Sequence, residues 1–197
     1  MNYFGHAVIL CGGKSNRMAV DKSLAKINGK YIIETIYEKL SRSFEIVSLG
    51  ADSGERFRAF DIDVIEDRIK DRGGPMIGIY SALVQAKTKY VFVTACDMPL
   101  INFEHIEFMK RILARNAFVH DALVPMNGGY IEPLYSFYST KIIEKVEEEI
   151  EKGNYKIHEI LKKCNTLYLD DKYSKHFDEN LSMFTNINYM EDLERFL

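Results

Sequence analysis

Short apolar runs alternate with stretches of helical periodicity between residues 6 and 113. The runs are too short for helices and end at glycine or polar residues, which is typical of buried strands. They predict strands at 6–11, 45–49, 63–66 and 90–95. Apolar residues at helical spacing predict helices within 32–40, 76–84 and 103–113. Strand, loop and helix in succession is the pattern of an α/β fold with a largely parallel sheet.

The rhythm of the chain changes after Val119. Two apolar runs flank the turn sequence Asn127-Gly128-Gly129, and they predict a hairpin with strands at 122–126 and 130–134. A helix is predicted within 142–150. Its outer face carries glutamates that we expect to be solvated, namely Glu144, Glu147, Glu148, Glu149 and Glu151.

The end of the chain predicts one more helix. Asn188 is a suitable N-cap, and Glu191 follows three residues later, as in a capping box. Neither a repeat nor a linker divides the sequence, so we expect a single domain over residues 1–197. The predicted fold class is α/β: one Rossmann-like three-layer domain with a mostly parallel mixed sheet and helices on both faces.

Composition and charge narrow the class of protein. Apolar residues make up 47% of the 197 residues and charged residues 28%, which excludes a disordered chain. The net charge is −3 and argues against a general nucleic-acid binder. The three cysteines lie far apart, which favours reduced thiols. Without a basic leader or an apolar run of about 20 residues, we expect a cytoplasmic protein that binds no membrane.

The first segment with candidate chemistry follows the first predicted strand. Paired glycines, Gly12 and Gly13, let the backbone turn sharply, and successive amide groups in such a turn form an anion-binding nest. Positive charge follows at Lys14, Arg17, Lys22, Lys26 and Lys30. A phosphate chain suits this environment, although a plain strand–helix turn with surface lysines is the other interpretation. Neither the P-loop nor the GxGxxG pattern matches these residues.

The second segment is Thr94–Pro99, where an apolar strand delivers one carboxylate, Asp97, to its end. A carboxylate there suits Mg²⁺, which prefers one or two protein oxygens together with substrate phosphates. The other interpretation is that Asp97 caps the following helix, but Asn102 stands closer to that helix and is the better cap. A phosphate nest and a metal-binding carboxylate together suit phosphoryl or nucleotidyl transfer.

The sequence resembles a known family. LCGGKSNRMAVDKSL at 10–24 is similar to the signature of nucleotidyltransferases that join a nucleoside triphosphate to a phosphorylated acceptor. Within that superfamily the chain most resembles the molybdenum cofactor guanylyltransferases. The supporting stretches are VIEDRIKDRGGPMIGI at 64–79, ACDMPLI at 95–101, YIEPLYSFY at 130–138 and FTNINYMEDLERF at 184–196.

The resemblance implies roles for particular residues. The implied GTP-binding residues are Leu10, Cys11, Gly12, Gly13, Lys22, Asp67 and Asp97. Lys22 contacts the phosphates with help from Arg17, and Asp97 also holds Mg²⁺, so these three residues would carry the catalysis. The chain departs from the family at Cys11, where alanine is common, and at Gly50, where an asparagine often touches the nucleotide.

The implied reaction transfers GMP from GTP to molybdenum-loaded molybdopterin and releases pyrophosphate, with Mg²⁺ as cofactor. The implied partners are these small-molecule substrates and, transiently, the enzymes that donate and accept the cofactor. Because Gly50 has no side chain, a related cytidylyl- or sugar-phosphate transferase stays an alternative. A non-catalytic nucleotide-binding regulator on the same scaffold is the alternative from another class.

Overall fold

A computed structural model describes residues 3–12, 24–27, 29–70 and 74–187. The strands are β1 His6–Leu10, β2 Lys26–Ile27, β3 Lys30–Tyr31, β4 Ile46–Ala51, β5 Val64–Glu66, β6 Tyr90–Ala95, β7 Ala122–Asn127, β8 Tyr130–Ile131, β9 Tyr135–Ser139 and β10 Thr166–Leu169. The helices are α1 Ile32–Leu40, α2 Pro75–Val84, α3 Phe103–Arg115, α4 Ile143–Glu151, α5 Ile157–Lys163 and α6 Asp171–Ser174. Short 3₁₀ turns lie at Glu55–Phe57, Thr140–Ile142 and Ser182–Phe184.

The main sheet has the strand order β10-β7-β9-β6-β1-β4-β5, with β8 paired to β7. The pairs β1–β4, β1–β6, β4–β5 and β7–β10 are parallel, whereas β9 runs antiparallel to both β6 and β7. The predicted mostly parallel mixed sheet is therefore confirmed. The carboxyl ends of β1, β4, β5, β6, β7 and β10 meet at one edge, called the carboxyl edge below.

Helices cover both faces of the sheet, as predicted. On one face α1 and α3 pack through Ile36 and Met109, and on the other α2, α4 and α5 pack through Ile79, Val146 and Leu161. Burial of these apolar stripes is the main favourable contribution to folding. Within the described residues, no helix is long and apolar enough to cross a membrane.

The second half of the chain corrects part of the sequence prediction. The β7–β8 hairpin forms, and its turn residues Gly128 and Gly129 both have positive φ, as a type I′ turn requires. The predicted strand at 130–134 is wrong beyond Ile131, because the amide of Tyr135 turns back to the Glu132 carbonyl at 3.2 Å. Strand β9 then begins at Tyr135. Strand β10 and helix α5 were not predicted, and the helix expected at Asn188 lies outside the described residues.

One glutamate of α4 is not solvated as expected. Glu149 is buried because Lys163 of α5 approaches its carboxylate at 2.7 Å and the Asn154 side chain donates to it at 2.7 Å. Lys163, then Asn154 and Lys152, lowers the pKa of Glu149 to about 2. This carboxylate therefore ties α4 to α5 instead of facing water.

Leu10, the last residue of β1, packs where two glycines leave space. A Cβ atom at Gly50 of β4 would lie 2.8 Å from Leu10 Cδ2, and one at Gly78 of α2 would lie 2.9 Å from the same methyl group. The absence of both side chains lets β4 and α2 close around the end of β1. Gly50, which the sequence presents as a lost nucleotide contact, has a packing role here.

Gly50→Ala is expected to destabilise the fold by about 1–3 kcal/mol, since the added methyl overpacks a site hemmed by Leu10 and Val8. Denaturant unfolding measures the change. Gly12→Ala is the matched control, because a Cβ at Gly12 meets no atom of the described chain within 4 Å. Equal stability of the two variants would contradict this packing role.

Candidate active site

The order of the strands defines a topological switch point between β1 and β6, and the region outside the carboxyl ends of these two strands is called the crevice below. From β1 the chain moves to β4 and β5 on one side, then returns to β6 on the other side of β1. Such a topological switch point is where ligands bind in open α/β sheets, outside the carboxyl ends of the strands. The ladder continues to this point, since the Cys96 amide donates to the Leu10 carbonyl at 3.0 Å. The two segments with predicted chemistry therefore leave adjacent strands at the crevice.

The residues that start the glycine loop offer backbone, not side chains. Leu10 is 7% exposed and packs toward α2, while Cys11 is 4% exposed and lies in the core of the opposite face. Gly12 is exposed, and a Cβ atom added to it would meet no atom of the described residues within 4 Å. The side chains of Leu10 and Cys11 therefore do not face a ligand, and the amide of Cys11 already donates to the Gly50 carbonyl at 2.7 Å. Gly13, Arg17 and Lys22 lie outside the described residues.

Asp97 lies two residues beyond β6, half-buried at the carboxyl edge. Its carbonyl oxygen accepts a hydrogen bond from the Ile187 amide at 2.8 Å, so its backbone is held by the distant C-terminal segment. It does not cap α3: the side chain of Asn102 accepts from the His105 amide at 3.0 Å, as the sequence predicts. Asp97 therefore lies at the carboxyl end of β6, next to the start of the glycine loop, and is not needed as the cap of α3.

Asp67 follows β5, two strands away from β1, and its amide donates to the Ala51 carbonyl at 2.8 Å. Burial raises the pKa of Asp67, the negative charge of Asp52 acts in the same direction, and Lys70 partly offsets both. Carboxylates whose pKa is shifted by burial and by a neighbouring charge are concentrated at functional sites, where a bound hydrogen-bond donor would stabilise the charged form. Asp67 thus lies on the same edge as Asp97 but across β1 and β4 from it.

Arg56 belongs to this edge although the sequence pattern did not single it out. Its Nη2 donates to the Cys11 carbonyl at 3.3 Å and to Asp52 Oδ1 at 2.7 Å. These bonds tie the start of the glycine loop to the segment after β4. The local sequence around Arg56 carries no signal for a contact with a residue 45 positions away.

Glu132 also reaches the carboxyl edge without having been predicted as a site residue. It is half-buried after β8, and Asn127 Nδ2 donates to its Oε1 at 3.1 Å. Burial raises the pKa of Glu132, and the bond from Asn127 partly offsets that effect. The hairpin turn was recognisable from its glycines, but the pairing of this carboxylate with Asn127 depends on the register.

The donor chemistry at this edge fits a magnesium ion shared with substrate. No group of three or more His, Cys, Asp or Glu that could hold a metal is found among the residues that the structure describes. Mg²⁺ does not need one, because it keeps waters and phosphate oxygens and takes one or two carboxylates. Asp97, a half-buried hard-oxygen donor at the crevice, suits that role.

Comparisons with known proteins agree with this architecture. The family described as MobA-like NTP transferase domain matches residues 7–167. A probable molybdenum cofactor guanylyltransferase from Peptoclostridium acidaminophilum is 34% identical over 98% of this chain and 88% of its own. A molybdenum cofactor guanylyltransferase from Syntrophotalea carbinolica is 34% identical over 98% of this chain and 90% of its own.

A solved structure also has this fold. Molybdopterin-guanine dinucleotide biosynthesis protein A from Archaeoglobus fulgidus superposes with a TM-score of 0.82 at 28% identity, covering 96% of this chain and 95% of that one. The fold, the switch-point crevice and these similarities define an α/β nucleotidyltransferase. Within that class, the chain belongs to the family of MobA-like NTP transferases, whose relatives here are molybdenum cofactor guanylyltransferases.

Proposed function

We propose that the protein transfers GMP from GTP to molybdenum-loaded molybdopterin and releases pyrophosphate. The observation that carries the proposal is the crevice between β1 and β6, where the glycine loop and Asp97 leave adjacent strands. The names of relatives that match almost the whole chain supply the identity of the two substrates.

The chain's own residues act mainly by position and charge. An acceptor phosphate oxygen attacks the α-phosphorus of GTP in line, so the protein needs no covalent intermediate. We assign Lys22, with help from Arg17, to the phosphates, where positive charge stabilises the departing pyrophosphate. The loop from Leu10 through Gly13 shares this role through backbone amides beyond Cys11, because the amide of Cys11 itself donates to the Gly50 carbonyl at 2.7 Å.

Asp97 is assigned to both GTP and Mg²⁺. When bound, the ion would offset negative charge near the α-phosphate. Asp97 itself is held at the crevice by strand β6 and by the bond from Ile187 to its carbonyl. Asp67 is assigned to the nucleotide as an acceptor for its donor groups, and Gly50 leaves no further side chain on β4 for that contact.

The proposal also covers the domain organisation, the cellular location and the partner proteins. We propose one nucleotidyltransferase domain over residues 1–197. Its cysteines are free thiols, which supports a location in the reducing cytoplasm. Transient contacts with the enzymes that donate and accept the cofactor complete the proposed partners.

Calorimetry with GTP, CTP, UTP and ATP, each with Mg²⁺, tests the assignment of the nucleotide. GTP is expected to bind at least about tenfold tighter than CTP, since about 1.4 kcal/mol of differential hydrogen bonding gives that ratio. Equal binding of the two would favour the related cytidylyl- or sugar-phosphate transferase. Pyrophosphate release with GTP and molybdopterin separates an enzyme from a non-catalytic regulator, which would bind GTP and release none.

A further inference from the structure

The β7–β8 hairpin presents three side chains on one face. Asn127 pairs directly with Tyr130, and the Glu132 amide donates to the Pro125 carbonyl at 2.8 Å, which continues the same register. Since side chains alternate along a strand, Asn127, Tyr130 and Glu132 share a face. Ile131, on the opposite face, packs against the core beneath α2, α4 and α5.

Glu132 is the unusual member of this group. Its carboxylate is half-buried and receives a hydrogen bond from Asn127 at 3.1 Å, but no lysine or arginine of the described residues forms an ion pair with it. Burial without a cation raises the pKa of Glu132. A carboxylate that keeps acceptor capacity under these conditions is suited to a ligand that brings its own hydrogen-bond donors.

Glu132 lies on the opposite side of β6 from the strands that carry the proposed nucleotide-binding residues. Tyr135, which turns back to Glu132, pairs with Thr94 three residues before Asp97. Strand β7 lies two strands from β6, so the hairpin is displaced from Asp97 by two inter-strand spacings, roughly 10 Å. The displacement points away from β1, β4 and β5, which carry the glycine loop and Asp67. A phosphate that reacts at Asp97 therefore leaves the rest of the acceptor to extend toward the hairpin.

We propose that Glu132, oriented by Asn127, binds the amino and ring N–H donors of the acceptor's pterin. The inference rests on the proposed function, which makes the acceptor a phosphorylated pterin. The 2-amino-4-oxopyrimidine part of a pterin presents two parallel N–H donors, and two carboxylate oxygens match them in a bidentate pair. Tyr130, 80% exposed on the same face, offers an aromatic surface for the flat ring. Glu132 is thus a specificity residue for the acceptor, and Asn127 is its positioning residue.

Steady-state kinetics of Glu132→Gln tests the proposal. The substitution keeps the shape but replaces one acceptor oxygen with an N–H₂ group that faces the donors of the ring. The KM for molybdenum-loaded molybdopterin is expected to rise at least about tenfold, while the KM for GTP changes less than about twofold. Glu151→Gln, the same change at an exposed position of α4, is the matched control and should change neither value.

Asn127→Ala provides a second variant that keeps the carboxylate but frees it. It is expected to raise the KM for the acceptor by a smaller factor. If Glu132→Gln does not fold, an unchanged acceptor KM in Asn127→Ala overturns the proposal. A Glu132→Gln protein with unchanged acceptor KM overturns the proposal. So does a rise in the KM for GTP instead, because guanine carries the same donor edge. Wild-type protein that releases no pyrophosphate with molybdopterin overturns the proposed function, and this inference with it.

Discussion

Turnover is expected to fall by roughly 10²–10³-fold, about 3–4 kcal/mol of transition-state stabilisation, when Lys22 is replaced by alanine. The reason is electrostatic: pyrophosphate leaves with more negative charge than it carries in bound GTP, and in the proposed mechanism the Lys22 ammonium group stabilises that charge. Binding of GTP should weaken less than turnover falls, because the contact strengthens as the bond to the α-phosphorus breaks. Pyrophosphate release measured at saturating GTP gives the value.

The matched control for this substitution is Lys87→Ala. Lys87 is exposed and precedes β6, so it lies at the opposite edge of the sheet from the crevice. Lys87→Ala removes the same charge from the protein at a position far from the proposed phosphate site. If Lys22→Ala turned over at the rate of Lys87→Ala, Lys22 would have no part in the mechanism.

Asp97→Asn is expected to lower metal-dependent turnover at least about 10²-fold, because a hard cation prefers a charged oxygen to the neutral amide oxygen. Folding should change little. The substitution is nearly isosteric, and the bond that holds this segment runs from the Ile187 amide to the main-chain carbonyl of residue 97, which the change leaves in place. The Mg²⁺ dependence of pyrophosphate release and the melting temperature are measured on the same protein.

A structural role for Asp97 gives the reverse pattern. Loss of a local cap would cost up to about 2 kcal/mol of stability and leave the chemistry of the folded protein intact. Asp61→Asn, an exposed substitution of the same kind, sets the baseline for both measurements. Full activity with an unchanged Mg²⁺ response would remove Asp97 from the metal site.

Elements with one strong local signal were predictable. Strand β6 runs from Tyr90 to Ala95 as predicted, because an unbroken apolar run rich in β-branched and aromatic residues has few alternatives. Asn102 was recognisable as the cap of α3 from its place before a helical stripe. Strand β9 was not found: Pro133 and the turn at Glu132 interrupt an apolar stretch that the pattern alone joins into one strand.

Residues of the candidate site also differ in whether local sequence was enough to predict them. Asp97 follows a buried strand, and that local fact was enough to place it at the carboxyl edge. Arg56 and Glu132 depend on contacts that local sequence does not encode, since one reaches the carbonyl of Cys11 and the other depends on the hairpin register. Gly50 shows the same limit, because the neighbours that require a glycine there, Leu10 and Val8, belong to another strand.

The central position of β1 has a consequence for synthesis of the protein. His6–Leu10 is buried along its whole length and leaves the ribosome before both of its partner strands, and one of them, β6, pairs His6 with Val91. At about 5–20 residues per second, translation of the intervening segment takes on the order of ten seconds. Throughout that interval one side of an apolar strand has no native neighbour. The unpaired edge of β1 therefore favours aggregation of the nascent chain until β6 emerges. Chaperones that bind apolar segments would protect the chain during this interval.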